Sequence, residues 1–193
     1  RVGHLLSEPQ RLVCQETRGD PVAECRTLDE LQHESANAGV FDAVGALRGL
    51  RTLGVRLRQQ TASAEALARI LEADDRVAEV RHPSLASHPQ HGLAKRQMRL
   101  SGGLLTFDLA GGLEAGRSFV ESTEVCQLAP SLGGPETLVT HPASMTHVSL
   151  LPEELAAASI TPGTSRMSVG LEDTDDLIAD VTRALDTTTA ESP

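Results

Sequence analysis

Apolar residues recur at every third or fourth position through FDAVGALRGLRTLGVRLRQQTASAEALARILEADD, where Leu47, Leu50, Leu53 and Leu57 are followed by Leu67, Ile70 and Leu71. That spacing predicts amphipathic helices, or one long helix interrupted near Gly45 to Gly49. Upstream, PVAECRTLDELQHESANAG places Pro21 near a first turn and Gly39 just past an end, the arrangement of a further helix. RVAEV reads as a short strand, and RHPSLASHPQHGLAKRQM as a proline-rich loop that ends in a short helix. In GGLLTFDLAGG, Leu105, Phe107 and Leu109 alternate with Thr106 and Asp108, the period of a half-buried strand. LEAGRSFVEST then reads as helix. EVCQLA, ETLVT and SRMSVGL read as strands, with a helical turn near PEELAAA before the last. EDTDDLIADVTRAL predicts a final helix with acids at the positive dipole end and Leu177, Ile178, Val181 and Leu185 facing inward. The first 20 or so residues show no clean period and read as an irregular or strand-containing lead-in; DTTTAESP reads as a disordered tail. Helices first, then strands alternating with helices, predict an α/β chain, a two-layer α+β sandwich.

Composition narrows the function classes. A chain of 193 residues suits one domain, and with no Trp or Tyr and three Phe its core must be aliphatic. The net charge of −10 opposes nucleic acid as a partner, since phosphate binding needs clustered cations. Cys14, Cys25 and Cys126 are odd in number and lack CxxC spacing, which points to neither a zinc knuckle nor a disulfide framework. With no membrane-length apolar run and no signal-peptide core at RVGHLLSEPQR, the expected setting is cytoplasmic, without a membrane. Lys95 is the sole lysine, so any lysine chemistry must use it or come from elsewhere.

Arg166 is the sharpest chemical signal. A guanidinium inside an alternating strand needs an anionic or multi-acceptor partner unless it is solvated, and its planar fork suits a carboxylate. The plain alternatives are a surface-facing arginine and an ion pair with Glu172. In PSLGGPE, Gly133 and Gly134 either let backbone amides approach a ligand or make a tight turn. His82, His88, His91, His141 and His147 match no metal-ligand spacing, and no metal is expected. No G-x-S-x-G elbow marks a serine nucleophile. The acids Glu172, Asp173, Asp175 and Asp176 read as a helix start, and Arg48, Arg51, Arg56 and Arg58 as a solvated helix face.

Taken in order and spacing, RGLRTLGVRL, SHPQHGLAKRQM, SLGGPETLVTHPASMTH and SRMSVGLEDTDDLIADVTRAL resemble the C-terminal portion of the cysteine/methionine-metabolism family of pyridoxal-phosphate enzymes. That family includes cystathionine γ-lyase, cystathionine γ-synthase and methionine γ-lyase. The resemblance implies the C-terminal domain of a fold-type I pyridoxal-phosphate enzyme over residues 39–186, after a lead-in and connecting helix over 1–38 and before a tail over 187–193. It further implies that Arg166 binds the α-carboxylate of an amino-acid substrate, and that Ser131, Leu132 and Gly133, with Gly134, line the same pocket.

The resemblance also implies where the chain departs from the family. The cofactor-binding lysine of the family lies just before a GHSD-like turn, for which Gly3 and His4 of VGHLLSEP are a degenerate match, so the lysine is expected upstream of Arg1. No catalytic residue is then expected in this chain, and Lys95 matches a peripheral helix. His82 and Ser84 stand where YPGL is usual, Leu155 where an arginine is common, and Thr164 and Ser165 where apolar residues precede the arginine. Two hydroxyls beside the anchor bear on substrate choice or mark relaxed constraint. The leading expectation is the substrate-carboxylate-binding half of a pyridoxal-phosphate-dependent carbon–sulfur lyase for sulfur amino acids, working with an N-terminal cofactor-binding segment or chain in a homo-oligomer. The rival expectations are a non-catalytic interaction module and a thiocysteine-lyase-type piece of a biosynthetic assembly line.

Overall fold

The computed structural model describes residues 39–188. The lead-in with its helix from Pro21, the turn at Gly3 and His4, Cys14 and Cys25, and the tail from 189 onward lie outside the described residues. The chain divides into two compact units, 1–52 and 53–193. In the first, the described part is helical, and Val40, Phe41, Val44, Leu47 and Leu50 are exposed. The helix that begins there, α1 (Val40–Glu72), is continuous, so the interruption expected at Gly45 to Gly49 does not occur. Each glycine costs a helix about 1 kcal/mol against alanine, and the neighbouring Ala, Leu and Arg residues outweigh that. Asp42 accepts the Gly39 N–H at 3.0 Å and satisfies one free donor at the helix start.

The second unit carries β1 (Val77–Arg81), α2 (His91–Gln97), β2 (Leu104–Leu109), α3 (Gly112–Ser122), β3 (Gln127–Leu128), β4 (Leu138–Thr140), α4 (Pro152–Ala157), β5 (Thr164–Ser168) and α5 (Thr174–Thr187). The strands form one mixed sheet in the order β1-β2-β5-β4-β3, antiparallel except for the β3/β4 pair. Leu105, Phe107 and Leu109 are buried as their alternation requires, and they share one core with Leu67 and Leu71 of α1, Phe119 of α3, Met167 of β5, and Leu177, Val181 and Leu185 of α5. Phe107 meets Phe119 edge-to-face at 5.2 Å between centroids. α5 opens on Asp173, whose carboxylate accepts the Asp175 N–H at 2.9 Å.

Side chains alternate between the faces of a strand, so the register leaves a second, polar sheet face. Arg81 pairs with Thr106, Thr106 with Arg166, and Arg166 with Thr140, one row across four strands. The EVCQLA strand is shorter than its sequence predicts, because the N–H groups of Glu124, Val125 and Cys126 go to the Asp180 carboxylate at 2.8, 3.0 and 2.9 Å and not to a ladder.

Candidate functional site

Arg166 stands at the centre of the polar face, half-buried, with its Nη2 donating to the carbonyls of Pro130 at 2.8 Å and Ser131 at 3.3 Å. The guanidinium thus grips the start of the Ser131–Gly134 loop by its backbone. Among the described residues no carboxylate forms an ion pair with Arg166. Its Nε and Nη1 donors therefore remain available to an incoming anion.

The loop is tied at each end and in its middle. The Ala129 N–H donates to the Val139 carbonyl at 3.1 Å, and Thr140 Oγ1 donates to the Ala129 carbonyl at 2.7 Å. The Gly133 N–H donates to Ser168 Oγ at 2.8 Å, with Gly133 at φ 79°, a left-handed turn that glycine takes without a Cβ penalty. Gln60 Nε2 of α1 donates to the Gly134 carbonyl at 2.8 Å, and the Leu171 N–H to the Pro135 carbonyl at 2.7 Å. Ser131, Leu132 and Gly133 themselves are exposed, and Leu132 retains 54% of its surface. The arrangement is a fixed backbone frame with an accessible lip beside an arginine.

Glu172, the alternative partner of Arg166, is engaged elsewhere: Thr137 donates to it from both its N–H and its Oγ1, each at 2.6 Å. Thr137 Oγ1 in turn accepts the Gly170 N–H at 2.8 Å. The two hydroxyls before Arg166 part company, because neighbouring strand residues face opposite ways. Thr164 shares the face of Arg166 and donates to Asp108 Oδ1 at 2.6 Å. Ser165 faces the core opposite Phe107, fully buried and without a hydrogen-bond partner. Only Thr164 lies beside the anchor, and its proton is taken.

Two of the described histidines, His82 and His141, fill structural posts. His141 is buried, its Nδ1 2.8 Å from Ser144 Oγ and its Nε2 2.8 Å from the Pro162 carbonyl. His82 is buried between Ser84 Oγ at 2.7 Å and the Gly102 carbonyl at 3.2 Å, and loss of hydration pushes its pKa below 6.5. Among the described residues no group of three His, Cys, Asp or Glu could hold a metal ion. Cys126 is buried, and that burial, reinforced by the Asp180 carboxylate, pushes its thiol far up, away from nucleophilic use. No helix among the described residues is long and apolar enough to cross a membrane.

Sequence reasoning reached Arg166, Gly133 and Gly134 from the residues, and their proposed roles, together with Ser131 and Leu132, through the resemblance, but not Ser168, Gln60 or Thr140, which hold the loop. Ser168 lies two residues after Arg166 on one face, a signal available from the strand period. Gln60, 74 positions from Gly134, leaves no local signal.

The model of the Cys/Met metabolism PLP-dependent enzyme family matches residues 13–186. L-Methionine gamma-lyase of Porphyromonas gingivalis is 43% identical over 167 residues, covering 86% of this chain and 42% of the relative. Cystathionine gamma-lyase of Dictyostelium discoideum is 45% identical over 146 residues, covering 76% and 38%. The crystal structure of cystathionine gamma synthase from Xanthomonas oryzae pv. oryzae, in complex with aminoacrylate and cysteine, superposes with a TM-score of 0.77 at 40% identity, covering 87% of this chain and 45% of that one. The chain spans less than half the length of these relatives and matches the C-terminal half of such lyases and synthases. It belongs to the Cys/Met metabolism family of pyridoxal-phosphate-dependent enzymes.

Proposed function

We propose that this chain supplies the substrate-carboxylate side of a pyridoxal-phosphate-dependent enzyme for sulfur amino acids, a carbon–sulfur lyase acting by β- or γ-elimination. The observation that carries the reading is Arg166: a half-buried guanidinium with no described carboxylate partner, held against a tied loop with part of its fork unspent. A charge-assisted grip on an α-carboxylate from the unspent guanidinium donors holds the amino acid in place, which is how positioning lowers a barrier. Ser131, Leu132 and Gly133 form the lip over which the rest of the substrate passes, and Leu132 offers it an apolar side chain.

The residues present fit the substrate side of such a site and not the covalent seat of pyridoxal phosphate. Lys95, the sole lysine, stands on α2 and lines a cavity that shares no residue with the Arg166 loop. In this reading the cofactor and its lysine belong to an N-terminal half, attached or separate. The test is an assembly of this chain with such a half, followed by 2-oxo acid release from a sulfur amino acid. Arg166→Ala lowers kcat/KM about 10- to 100-fold, the worth of a charge-assisted hydrogen bond, and leaves the cofactor's absorbance unchanged. An unaltered kcat/KM overturns the role.

A further inference from the structure

We propose that the hollow between the C-terminal half of α1 and α2 binds a small tetrahedral dianion of the phosphate or sulfate class. A cavity of about 260 Å³ opens there, bordered by Glu65 and Arg69 of α1, His91 and Lys95 of α2, and Arg99 and Ser101 of the segment that follows. In a chain of net charge −10, three cations face one concavity. Three arginines of the second unit are paired, Arg76 with Asp74 and Asp186, Arg81 with Glu79 and Asp108, Arg183 with Asp180 and Glu124, whereas Arg58, Arg96, Arg117 and Arg166 form no ion pair to a described residue but lie outside the hollow. The side chains of Arg69, Lys95 and Arg99 make no hydrogen bond or ion pair to any described residue.

The neutral side-chain donors around the hollow are already committed. Ser101 Oγ donates to the carboxylate of Glu65, which occupies the one acid of the lining. The Ser84 N–H donates to His82 Nδ1 at 3.4 Å, so that nitrogen is an acceptor and takes the Ser84 hydroxyl proton as well. His91 Nδ1 donates to the Pro83 carbonyl at 2.9 Å. What remains for a ligand is positive charge, which selects for a multivalent anion over a sugar, an alcohol or a neutral amino acid. The volume falls below the roughly 300–1,000 Å³ usual for organic ligands, which restricts the occupant to an ion or to one phosphate group at the end of a larger molecule. The site is independent of the proposed function, because it uses no residue of the Arg166 loop.

The experiment is titration of the 193-residue chain with inorganic phosphate, then sulfate, at constant ionic strength set with chloride, followed by thermal unfolding and by calorimetry. A saturable rise in the unfolding midpoint that chloride does not reproduce is expected for both ions. Glycerol 3-phosphate distinguishes the sources: equal binding assigns a phosphomonoester, binding of the inorganic ions alone assigns the free ion, and either result upholds the site. The combined variant Arg69→Gln, Lys95→Gln, Arg99→Gln weakens phosphate binding about 10-fold, as three partly screened charges imply. Removing the same charge elsewhere on α1, with Arg48→Gln, Arg51→Gln and Arg58→Gln, none of which lines the hollow, leaves the affinity within about twofold. Glu65→Gln tightens it. No saturable effect beyond chloride, an unchanged affinity in the cavity variant, or an equal loss in the α1 variant overturns the proposal.

Discussion

Thr137 and Glu172 are joined twice, the backbone N–H and the Oγ1 of the threonine each donating at 2.6 Å to a different oxygen of the carboxylate. This pair locks the strand that leaves the Ser131–Gly134 loop to the chain that leaves β5. The carboxylate drawn away from Arg166 thus does structural duty beside it, and the arginine is left for another anion. Glu172→Ala removes both acceptors and leaves two donors of a fully buried threonine unsatisfied, at a cost of about 2–3 kcal/mol in urea unfolding. A loss under half a kcal/mol would contradict the pairing.

Gly170 and Gly133 separate two kinds of glycine requirement. A Cβ on Gly170 would lie 2.3 Å from the Pro135 carbonyl oxygen and 2.4 Å from the Glu136 carbonyl carbon, both backbone atoms that cannot swing away. Gly133 has open space around it, and only its φ of 79° resists a side chain. Gly170→Ala is expected to cost about 2 kcal/mol or more by overpacking, and Gly133→Ala about 1 kcal/mol by backbone strain. The order of the two unfolding midpoints checks the geometry.

Much of this framework is written in local periods. The alternation of Leu105, Phe107 and Leu109 sets the face that β2 buries, and the acids before Leu177 mark the start of α5. What local pattern cannot carry is the choice of partner across the sheet. Glu172 lies six positions from Arg166 and was a natural partner on paper, yet the turn at Gly170 delivers it to Thr137. Asp180 sits on the inward face of a helix whose pattern predicts only apolar contacts there, and it is occupied by amides 54 to 56 positions away. The leucines at 47, 50, 53 and 57 keep the helical period but stay exposed, because a period states which residues share a face and not what covers it. Arg166 shows the same limit, since its place in an alternating strand marks it while its hold on the loop backbone follows from strand register.

Asp180 gives the acid limb of stability. Burial opposes its ionisation, but the amides of Cys126, Glu124 and Val125, with Arg183, outweigh that and hold its carboxyl below 3.8. A carboxyl lowered on folding contributes stability that is complete above its unfolded pKa, near 3.8, and is lost as pH falls through the folded value. Asp180→Asn is expected to lose about 2–3 kcal/mol at pH 7 and to show a flatter decline below pH 4. Parallel pH profiles for the two proteins would show that the amides do not depend on the charge.

His82 acts at higher pH. It is a base whose pKa burial lowers below 6.5, so the unfolded chain takes up its proton first. Stability is therefore full above 6.5 and declines as pH falls from there through the folded value. His82→Gln keeps a hydrogen-bonding side chain and cannot titrate, so its stability should stay level across that window while the native chain weakens. Equal slopes in urea midpoints taken at pH 7.5 and 5.5 would assign the titration to another group.

Arg166 is expected to divide function from stability. Its described bonds run from one nitrogen to two carbonyls at a half-buried position, and solvent screening limits their worth to about 1 kcal/mol. The loop keeps its other ties, through Ser168 to Gly133, Gln60 to Gly134 and Thr140 to Ala129, when the guanidinium is removed. Arg166→Ala should therefore unfold within about 1 kcal/mol of the native chain, while amino-acid turnover in an assembled enzyme falls 10- to 100-fold as the lost carboxylate contact implies. Arg166→Lys keeps the charge but not the planar fork, and it should recover part of the KM while kcat stays low, because a point charge attracts a carboxylate without fixing its plane. Ser168→Ala is the complementary variant: it spares the guanidinium and frees the Gly133 amide. A loss of turnover there with normal stability would place the functional requirement in the shape of the loop as well as in the charge beside it, whereas full activity would confine it to Arg166.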